Sequence, residues 1–232
     1  MSLIPYQLNA PYLVFIGDND SAIYAKTGLG LVQWCRELVV GQLRFPGNSL
    51  DLGVPDITIS QAEKAGVKSL IISVAPVGGT IGQHWEVELI KAAEAGLDIV
   101  SGLHSRLEAI PGLADAAAKS NAQLINIRIP PTGIPIANGK KRTGRRVLIV
   151  GTDCAVGKKY TALALTESLN KASINATFRA TGQTGIMIAG TGIPIDAVVS
   201  DFVAGAAEII SPDNEPDHWD VIEGQGSLFH PS

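Results

Sequence analysis

The sequence predicts an α/β protein of two doubly wound parallel-sheet domains, on three observations. Short apolar runs alternate with helical patterns along the whole chain, which is the signature of strand, helix, strand units and hence of a parallel sheet covered by helices. A proline-rich and then basic connection, Ile129-Pro-Pro-Thr-Gly-Ile-Pro135 followed by Asn138-Gly-Lys-Lys-Arg-Thr-Gly144, interrupts that alternation. Directly after it, Val147-Leu-Ile-Val150 runs into Gly151-Thr-Asp-Cys-Ala-Val-Gly-Lys158, an apolar strand leading into a glycine loop. The boundary is placed in the connection, giving a Rossmann-like domain over 1–138 and a phosphate-loop domain over 139–232.

In the first half, Tyr12-Leu-Val-Phe-Ile-Gly17 reads as a buried strand and Ser21 to Cys35 as a helix interrupted by Gly28 and Gly30. Glu37 to Val40 is a strand, and Gln42 to Asp56, with its prolines and glycines, a loop. Ser60 to Ala65 is a short helix ended by Gly66, and Ser69 to Ala75 the clearest strand. A helix from Gln83 to Ala95 is closed by Gly96. Strands at Leu97 to Val100 and Gln123 to Ile127 flank a helical stretch from Arg106 to Ser120, broken at Pro111-Gly112.

In doubly wound sheets ligands sit beyond the carboxyl ends of the strands. The loops Gly17-Asp18-Asn19-Asp20, Pro76-Val-Gly-Gly79 and Gly102-Leu-His-Ser-Arg106 therefore share one edge, although each is also ordinary turn chemistry. His84, beside Trp85 on a predicted helix, reads as packing, while His104 sits in a loop at the ligand edge with both readings open. No G-x-G-x-x-G follows the first strand, so a nicotinamide cofactor has little support.

In the second half the helix opened by Gly157-Lys158 carries apolar residues at helical spacing through Leu169. Such a loop binds anions, because unpaired N–H groups, the helix dipole and the Lys158 ammonium converge where a phosphate sits. Gly151, Thr152, Asp153, Cys154, Ala155, Val156, Gly157, Lys158, Lys159 and Tyr160 are its candidate cofactor-binding residues. The spacing is one residue longer than the common phosphate loop, and Lys159 stands where a Ser or Thr would hold Mg²⁺. A lysine ammonium has no lone pair for a metal, so phosphate binding is retained and metal-assisted nucleotide chemistry impaired.

Thr177 to Ala180 is the next strand, Thr181-Gly-Gln-Thr-Gly-Ile-Met187 a polar glycine loop, and Asp196 to Ile210 a helix. Trp219-Asp-Val-Ile-Glu-Gly224 is a strand ending in a carboxylate, where nucleotide-binding proteins hold a metal or polarise a substrate. The run Lys140, Lys141, Arg142, Arg145, Arg146 reads as a solvated linker that can also lend positive potential to a phosphate. Roughly three strands are few for such a domain, which leaves two readings open: a fragment of a larger domain, or one that leans on its neighbour.

With 232 residues, 46% hydrophobic and 17% charged, the chain is globular in composition. A formal charge of −4 argues against a general nucleic-acid binder. Cys35 and Cys154 are the only cysteines, without a CxxC or His/Cys cluster, so neither a disulfide framework nor a zinc site is indicated and a reducing cytoplasm is expected. No apolar run reaches the roughly 18 residues of a membrane span, and Met1 to Pro5 lacks the start of a signal peptide.

Gly151 to Lys158 together with Glu223-Gly-Gln-Gly-Ser227 resembles the phosphate loop and Glu-Gly motif of dethiobiotin synthetase, which uses ATP and Mg²⁺. A second resemblance spans nearly the whole chain. Gly151 to Leu163, Thr181 to Gly185, Ser200-Asp-Phe-Val-Ala-Gly-Ala-Ala-Glu208 and Val221 to Pro231 are similar to the D-glutamate N-acetyltransferase family, with its Rossmann-like and phosphate-loop halves. That resemblance implies acetyl transfer from acetyl-CoA, as co-substrate and without a metal, to D-glutamate in D-amino-acid catabolism. It also implies that family members continue past Ser232.

Acetyl transfer to an amine needs a base, donors for the thioester oxyanion and a cationic clamp for two carboxylates. The candidates are Glu223 or Asp153 as base, Gln183 with backbone N–H groups as oxyanion donor, and Arg106 or Arg128 as clamp; Thr184 and Gln225 join the arginines as substrate-binding candidates. Cys154 at the helix start has the position of an activated thiol, but no histidine is adjacent in sequence, and it reads as a small loop residue. The expected protein is a cytoplasmic homo-oligomer with a small-molecule substrate. An ATP-dependent ligase or kinase and a non-catalytic nucleotide- or CoA-binding module stay open as alternatives.

Overall fold

A computed structural model of the chain describes residues 6–74, 81–153 and 156–228. Its first strand, β1 (Tyr6–Gln7), belongs with the chain from Ile129 onward, while Leu8–Arg128 forms a compact unit by itself. The break between the units thus falls at Arg128, at the head of the proline-rich connection.

The 8–128 unit contains β2 (Tyr12–Gly17), α1 (Lys26–Trp34), β3 (Val39–Arg44), α2 (Ile59–Lys64), β4 (Ser69–Ile72), α3 (Gln83–Glu94), β5 (Asp98–Ser101), α4 (Leu113–Ser120) and β6 (Leu124–Asn126). Its strands form one parallel sheet in the order β3-β2-β4-β5-β6. Every residue of β2, β4 and β5 is buried, the mark of strands covered on both faces. With right-handed crossovers, that order puts α1 on one face and α2, α3 and α4 on the other, where α3 packs against both neighbours. The core is built on Leu13, Phe15, Ile16, Leu70, Ile71, Leu89, Ile99 and Leu113.

Helix signals in the sequence translate directly. Thr58 and Gln61 form a capping box at α2, and Gly96, at φ +81°, reverses the chain after α3 so that Leu97 N bonds Ala92 O at 3.0 Å. Three expectations change. The Ser21 to Cys35 helix is confined to Lys26–Trp34, where Gly28 meets the sheet so closely that a Cβ would stand 2.8 Å from Leu52 and 2.9 Å from Ser73 Oγ. The second strand begins at Val39 and runs on through Arg44. Gln42, expected in a loop, is fully buried within it; its side chain donates to Asp51 and accepts from Leu52 N, tying the following loop to the sheet. The clearest strand ends at Ile72; Ala75 and the Pro76 to Gly79 loop lie outside the described residues.

The other unit contains β7 (Arg145–Ile149), α5 (Lys158–Lys171), β8 (Ala176–Arg179), α6 (Gln183–Ala189), β9 (Thr191–Gly192), α7 (Ser200–Ile210) and β10 (Trp219–Glu223). Its main sheet is parallel, in the order β7-β10-β8, and β1 pairs antiparallel with β9. One face of the sheet packs on α5 through Val147, Ile149, Val221, Phe178 and Leu165. On β7 the alternate residue Leu148 is 55% exposed, so this strand is covered on one side only.

Two expectations are corrected here. The polar glycine loop from Thr181 is helical from Gln183 to Ala189, because Ile186, Met187 and Ile188 are buried and a carboxylate satisfies the N–H groups ahead of it. The Asp196 to Ile210 helix is divided into a 3-10 turn at Ile195–Ala197 and α7, separated by the β-branched pair Val198-Val199 in extended conformation.

Candidate active site

The glycine loop follows β7 as expected, and Gly157, at φ +102°, turns the chain into α5 so that Lys158 is its first residue. The Lys158 ammonium donates to Asp153 O and Gly226 O, both at 2.8 Å, spanning the loop. Gly151 makes this possible: a Cβ there would stand 2.7 Å from Val156 and 3.2 Å from Lys158 Cγ. Cys154 and Ala155 lie outside the described residues.

The segment after β10 runs alongside this loop. Gly224 passes so near β7 that a Cβ would lie 2.0 Å from Ile149 O. Beyond it, Ser227 Oγ donates to Asp153 Oδ1 at 2.7 Å and Leu228 N to Thr152 O at 2.9 Å. Thr152, Asp153, Lys158 and residues 226–228 are therefore one bonded group.

Glu223 closes β10 from the inside. It is 5% exposed, and its Oε2 accepts from Thr181 N and Gly182 N, each at 3.0 Å. Thr181 Oγ1 donates to Glu223 O at 2.6 Å and accepts from Gln225 Nε2 at 3.0 Å. Gly185 admits the carboxylate, since a Cβ would be 2.2 Å from Oε2. Burial pushes the Glu223 carboxyl up; the two N–H bonds and the Lys159 charge pull it down, Asp196 adds to the rise, and the net shift is upward. Lys159, where a metal-binding hydroxyl would stand, thus acts on this carboxylate, and its Nζ lies 4.3 Å from the centroid of the Tyr160 ring. Gln183 and Thr184 are the first two residues of α6, immediately after the turn that Glu223 holds.

The structure therefore gathers Asp153, Lys158, Lys159, Glu223 and Gln225 with the start of α6 in one unit. Arg106 and Arg128 belong to the other unit, at the carboxyl edge of its sheet. Arg128 Nε braces Gly102 O at 3.1 Å, and Asn126 Oδ1 accepts from Leu107 N at 2.9 Å, so the loop displaying exposed His104 and Arg106 is held from both ends.

Two members of the basic run are bonded at the end of α7. Arg142 donates to the carbonyls of Ala207, Glu208 and Ser211 and Arg146 to Ser211 Oγ and Pro212 O, capping the negative end of α7. Arg145 and Arg146 open β7, so three strand residues, Val147 to Ile149, about 10 Å, lie between the run and the loop.

One constellation escaped the sequence reading. Asp18, the residue after β2, accepts from Trp85 Nε1 at 2.7 Å and pairs with His84 Nε2 at 2.8 Å. His84 is not packed inside; its side chain is 56% exposed, while Trp85 beside it is 3% exposed and stacks edge-on against Phe15. The available signal was Gly17-Asp18 at the end of an unbroken apolar strand. Burial pushes the Asp18 carboxyl up, but the bonds from Trp85, His84 and its own backbone outweigh this and hold it below the usual range.

Among the described residues no cluster of three or more His, Cys, Asp or Glu side chains is arranged to hold a metal ion, and no helix is long and apolar enough to cross a membrane.

Comparison with known proteins fits this geometry. The family description "Domain of unknown function (DUF1611_C) P-loop domain" matches residues 135–232, and the DUF1611_N Rossmann-like domain matches residues 45–130. A protein from Tritonibacter scottomollicae named D-glutamate N-acetyltransferase is 49% identical over 225 residues, covering 97% of this chain and 68% of the relative. One of the same name from a Pseudoalteromonas species is 44% identical over 226 residues, with the same coverage. The crystal structure of a DUF1611 family protein from Anabaena variabilis superimposes with a TM-score of 0.80 at 32% identity, covering 96% of this chain and 68% of that one. The chain belongs to the DUF1611 family, with its Rossmann-like and P-loop domains, and is an enzyme of the acyltransferase class.

Proposed function

We propose that the protein transfers the acetyl group of acetyl-CoA to the amino group of D-glutamate, as a cytoplasmic step in D-amino-acid catabolism. The names of the two relatives support the reaction. The observation that carries the donor is the pair Lys158 and Lys159 at the start of α5. Lys158 bridges the loop by two bonds to carbonyl oxygens, which a phosphate competes for, and Lys159 supplies a second cation where metal-dependent nucleotide chemistry needs a hydroxyl. Acetyl-CoA brings a diphosphate and a 3′-phosphate, and its thioester reacts with an amine without a metal.

In this reading residues 151–160 hold the CoA phosphates, and the Gln183 amide donates to the thioester oxyanion. Of the two acidic candidates, Asp153 is bonded to Ser227 and Glu223 is buried under two backbone N–H groups. Both are assigned to positioning: Asp153 keeps the loop against residues 226–228, and Glu223 fixes the turn that presents Gln183 and Thr184. Arg106 and Arg128 of the 8–128 unit, or Thr184 and Gln225 of the phosphate-loop unit, are the groups assigned to the amino acid.

The test is thiol release from acetyl-CoA in the presence of D-glutamate, L-glutamate or other amino acids, with and without ATP and Mg²⁺. Release that requires D-glutamate and ignores ATP is expected; ADP formation without thiol release would overturn the reading. Lys158→Ala is expected to abolish protection by CoA in a thermal melt, and undiminished protection would remove the loop as the donor site.

A further inference from the structure

Transfer to an amino acid at neutral pH requires a proton acceptor, because the ammonium form has no lone pair with which to attack. In the phosphate-loop unit, holding the turn ahead of α6 occupies only half of the Glu223 carboxylate. Oε2 accepts both N–H groups, those of Thr181 and Gly182, and among the described residues no hydrogen bond reaches Oε1. The residue is 5% exposed, so an acceptor atom is left unmatched on a side chain that is almost wholly buried. Buried acceptors are matched as a rule, because an unmatched one costs stability, and an exception calls for a use other than stability.

Two glycines keep Oε1 uncovered. A Cβ on Gly182 would lie 3.2 Å from it and one on Gly185 3.3 Å, so side chains at these positions would crowd the atom. The same Cβ on Gly182 would meet Gln225 Nε2 at 2.7 Å, so the exposed Gln225 side chain borders the gap. Gln183 follows Gly182 directly as the first residue of α6, and Lys159 acts on the carboxylate from the second position of α5, the helix that the phosphate loop opens. The free oxygen therefore belongs with the two helix starts to which the donor phosphates and the thioester oxygen are assigned above. Its surroundings also suit proton transfer. Burial and Asp196 disfavour the ionised form, the two N–H groups and Lys159 favour it, and the net rise makes the carboxylate a stronger base than a free glutamate.

We propose that Glu223, through Oε1, is the base that accepts the proton of the acceptor's ammonium group, while Oε2 goes on holding the turn. The assignment rests on the acetyl-transfer reading above and draws on groups of the phosphate-loop unit alone. Oε1 takes one proton from the ammonium, the freed nitrogen lone pair forms the C–N bond to the thioester carbonyl carbon, and the C–S bond breaks with its electron pair on sulfur. The second nitrogen proton ends on the CoA sulfur, and the Glu223 carboxyl returns the first to solvent. One proton is released per turnover, and nothing is oxidised or reduced. Of the groups assigned to the amino acid, Thr184 and Gln225 belong to this same unit.

The test compares variants of the full chain. Glu223→Gln keeps an oxygen for the two N–H groups and replaces Oε1 by an amide nitrogen, which only donates. It is expected to lower kcat about 10²–10⁴-fold with undiminished thermal protection by CoA. Gly182→Ala, whose backbone φ of −119° suits alanine, should lower kcat by covering Oε1 without removing any functional group. The charged groups that act on Glu223 should move the acid limb of the kcat/KM pH profile in opposite senses. Asp196→Asn removes a charge that raises the carboxyl and should shift the limb to lower pH, while Lys159→Gln removes one that lowers it and should shift the limb to higher pH. A carboxylate that only held the turn would leave the limb in place. Wild-type kcat in Glu223→Gln would overturn the assignment, and so would a limb that neither charge variant moves. Absence of D-glutamate-dependent thiol release in the wild type would overturn acetyl transfer, and the assignment with it.

Discussion

Asp18 and Glu223 occupy equivalent places in their two units, each at the carboxyl end of a parallel strand, and their surroundings push them in opposite directions. Asp18 is exposed and receives its donors from two aromatic side chains, which hold it ionised to lower pH than usual. Glu223 is buried, receives its donors from the backbone, and is pushed up by desolvation. A carboxylate at a strand end is thus not one kind of group. Buried under N–H groups it organises a turn, and exposed beside a histidine it orients an imidazole.

The largest effect that would sharpen this contrast lies at the glycine that admits Glu223. Gly185→Ala forces a Cβ to within 2.2 Å of a buried carboxylate oxygen that cannot move without losing both N–H bonds. A loss of about 1–3 kcal/mol is expected in urea unfolding, and a neutral result would show that Glu223 is not locked.

Glu223→Gln follows, with an effect of about 1 kcal/mol or less near neutrality. The sign is set by linkage: a carboxyl whose folded pKa is raised contributes stability that is present at low pH and lost as pH rises through that raised value. The variant lacks this loss, so its stability relative to wild type should increase with rising pH. Asp18→Asn should behave in the opposite sense and more weakly, by a few tenths of a kcal/mol. The contribution of a lowered carboxyl is present at neutral pH and lost as pH falls through its lowered value, so the variant should be the weaker at neutrality and equal to wild type in acid. Parallel pH dependences in the two variants would break the comparison.

Gly82→Ala, whose Cβ would stand 2.7 Å from His84 Cε1, should have the smallest effect on stability, within about 0.5 kcal/mol, since the side chain it meets is more than half exposed. A loss in urea unfolding as large as that of Gly185→Ala would break the comparison.

The fold was legible in the sequence because its strands are apolar runs and its helices end on glycines. Gly66 and Gly96 closed their helices where expected, and Val147 to Lys158 announced strand, loop and helix without help from tertiary structure. Gln42 and the helix from Gln183 were harder: Gln42 is a polar strand residue whose partners, Asp51 and Leu52, lie in the following loop, and the turn ahead of Gln183 is held by Glu223, some forty residues on. The phosphate-loop residues are consecutive and could be written down in order. The pair of Asp18 and His84 could not, because 66 positions separate two residues whose meeting depends on which strands are neighbours. His84 was also read through Trp85, although adjacent helical residues point to different sides, one buried and one exposed.

The pairing of β1 with β9 has a consequence for the order of events on the ribosome. Tyr6 and Gln7 leave the exit tunnel well before their partners Thr191 and Gly192, which are translated about 185 residues later, at typical elongation rates a wait of roughly 10–40 s. The five-stranded sheet between them needs no residue beyond Arg128, so it can be complete while the leading strand is still unpaired. Tyr6 and Gln7 are thus made before the 8–128 unit and find their place only after it, once β9 of their own unit has been made.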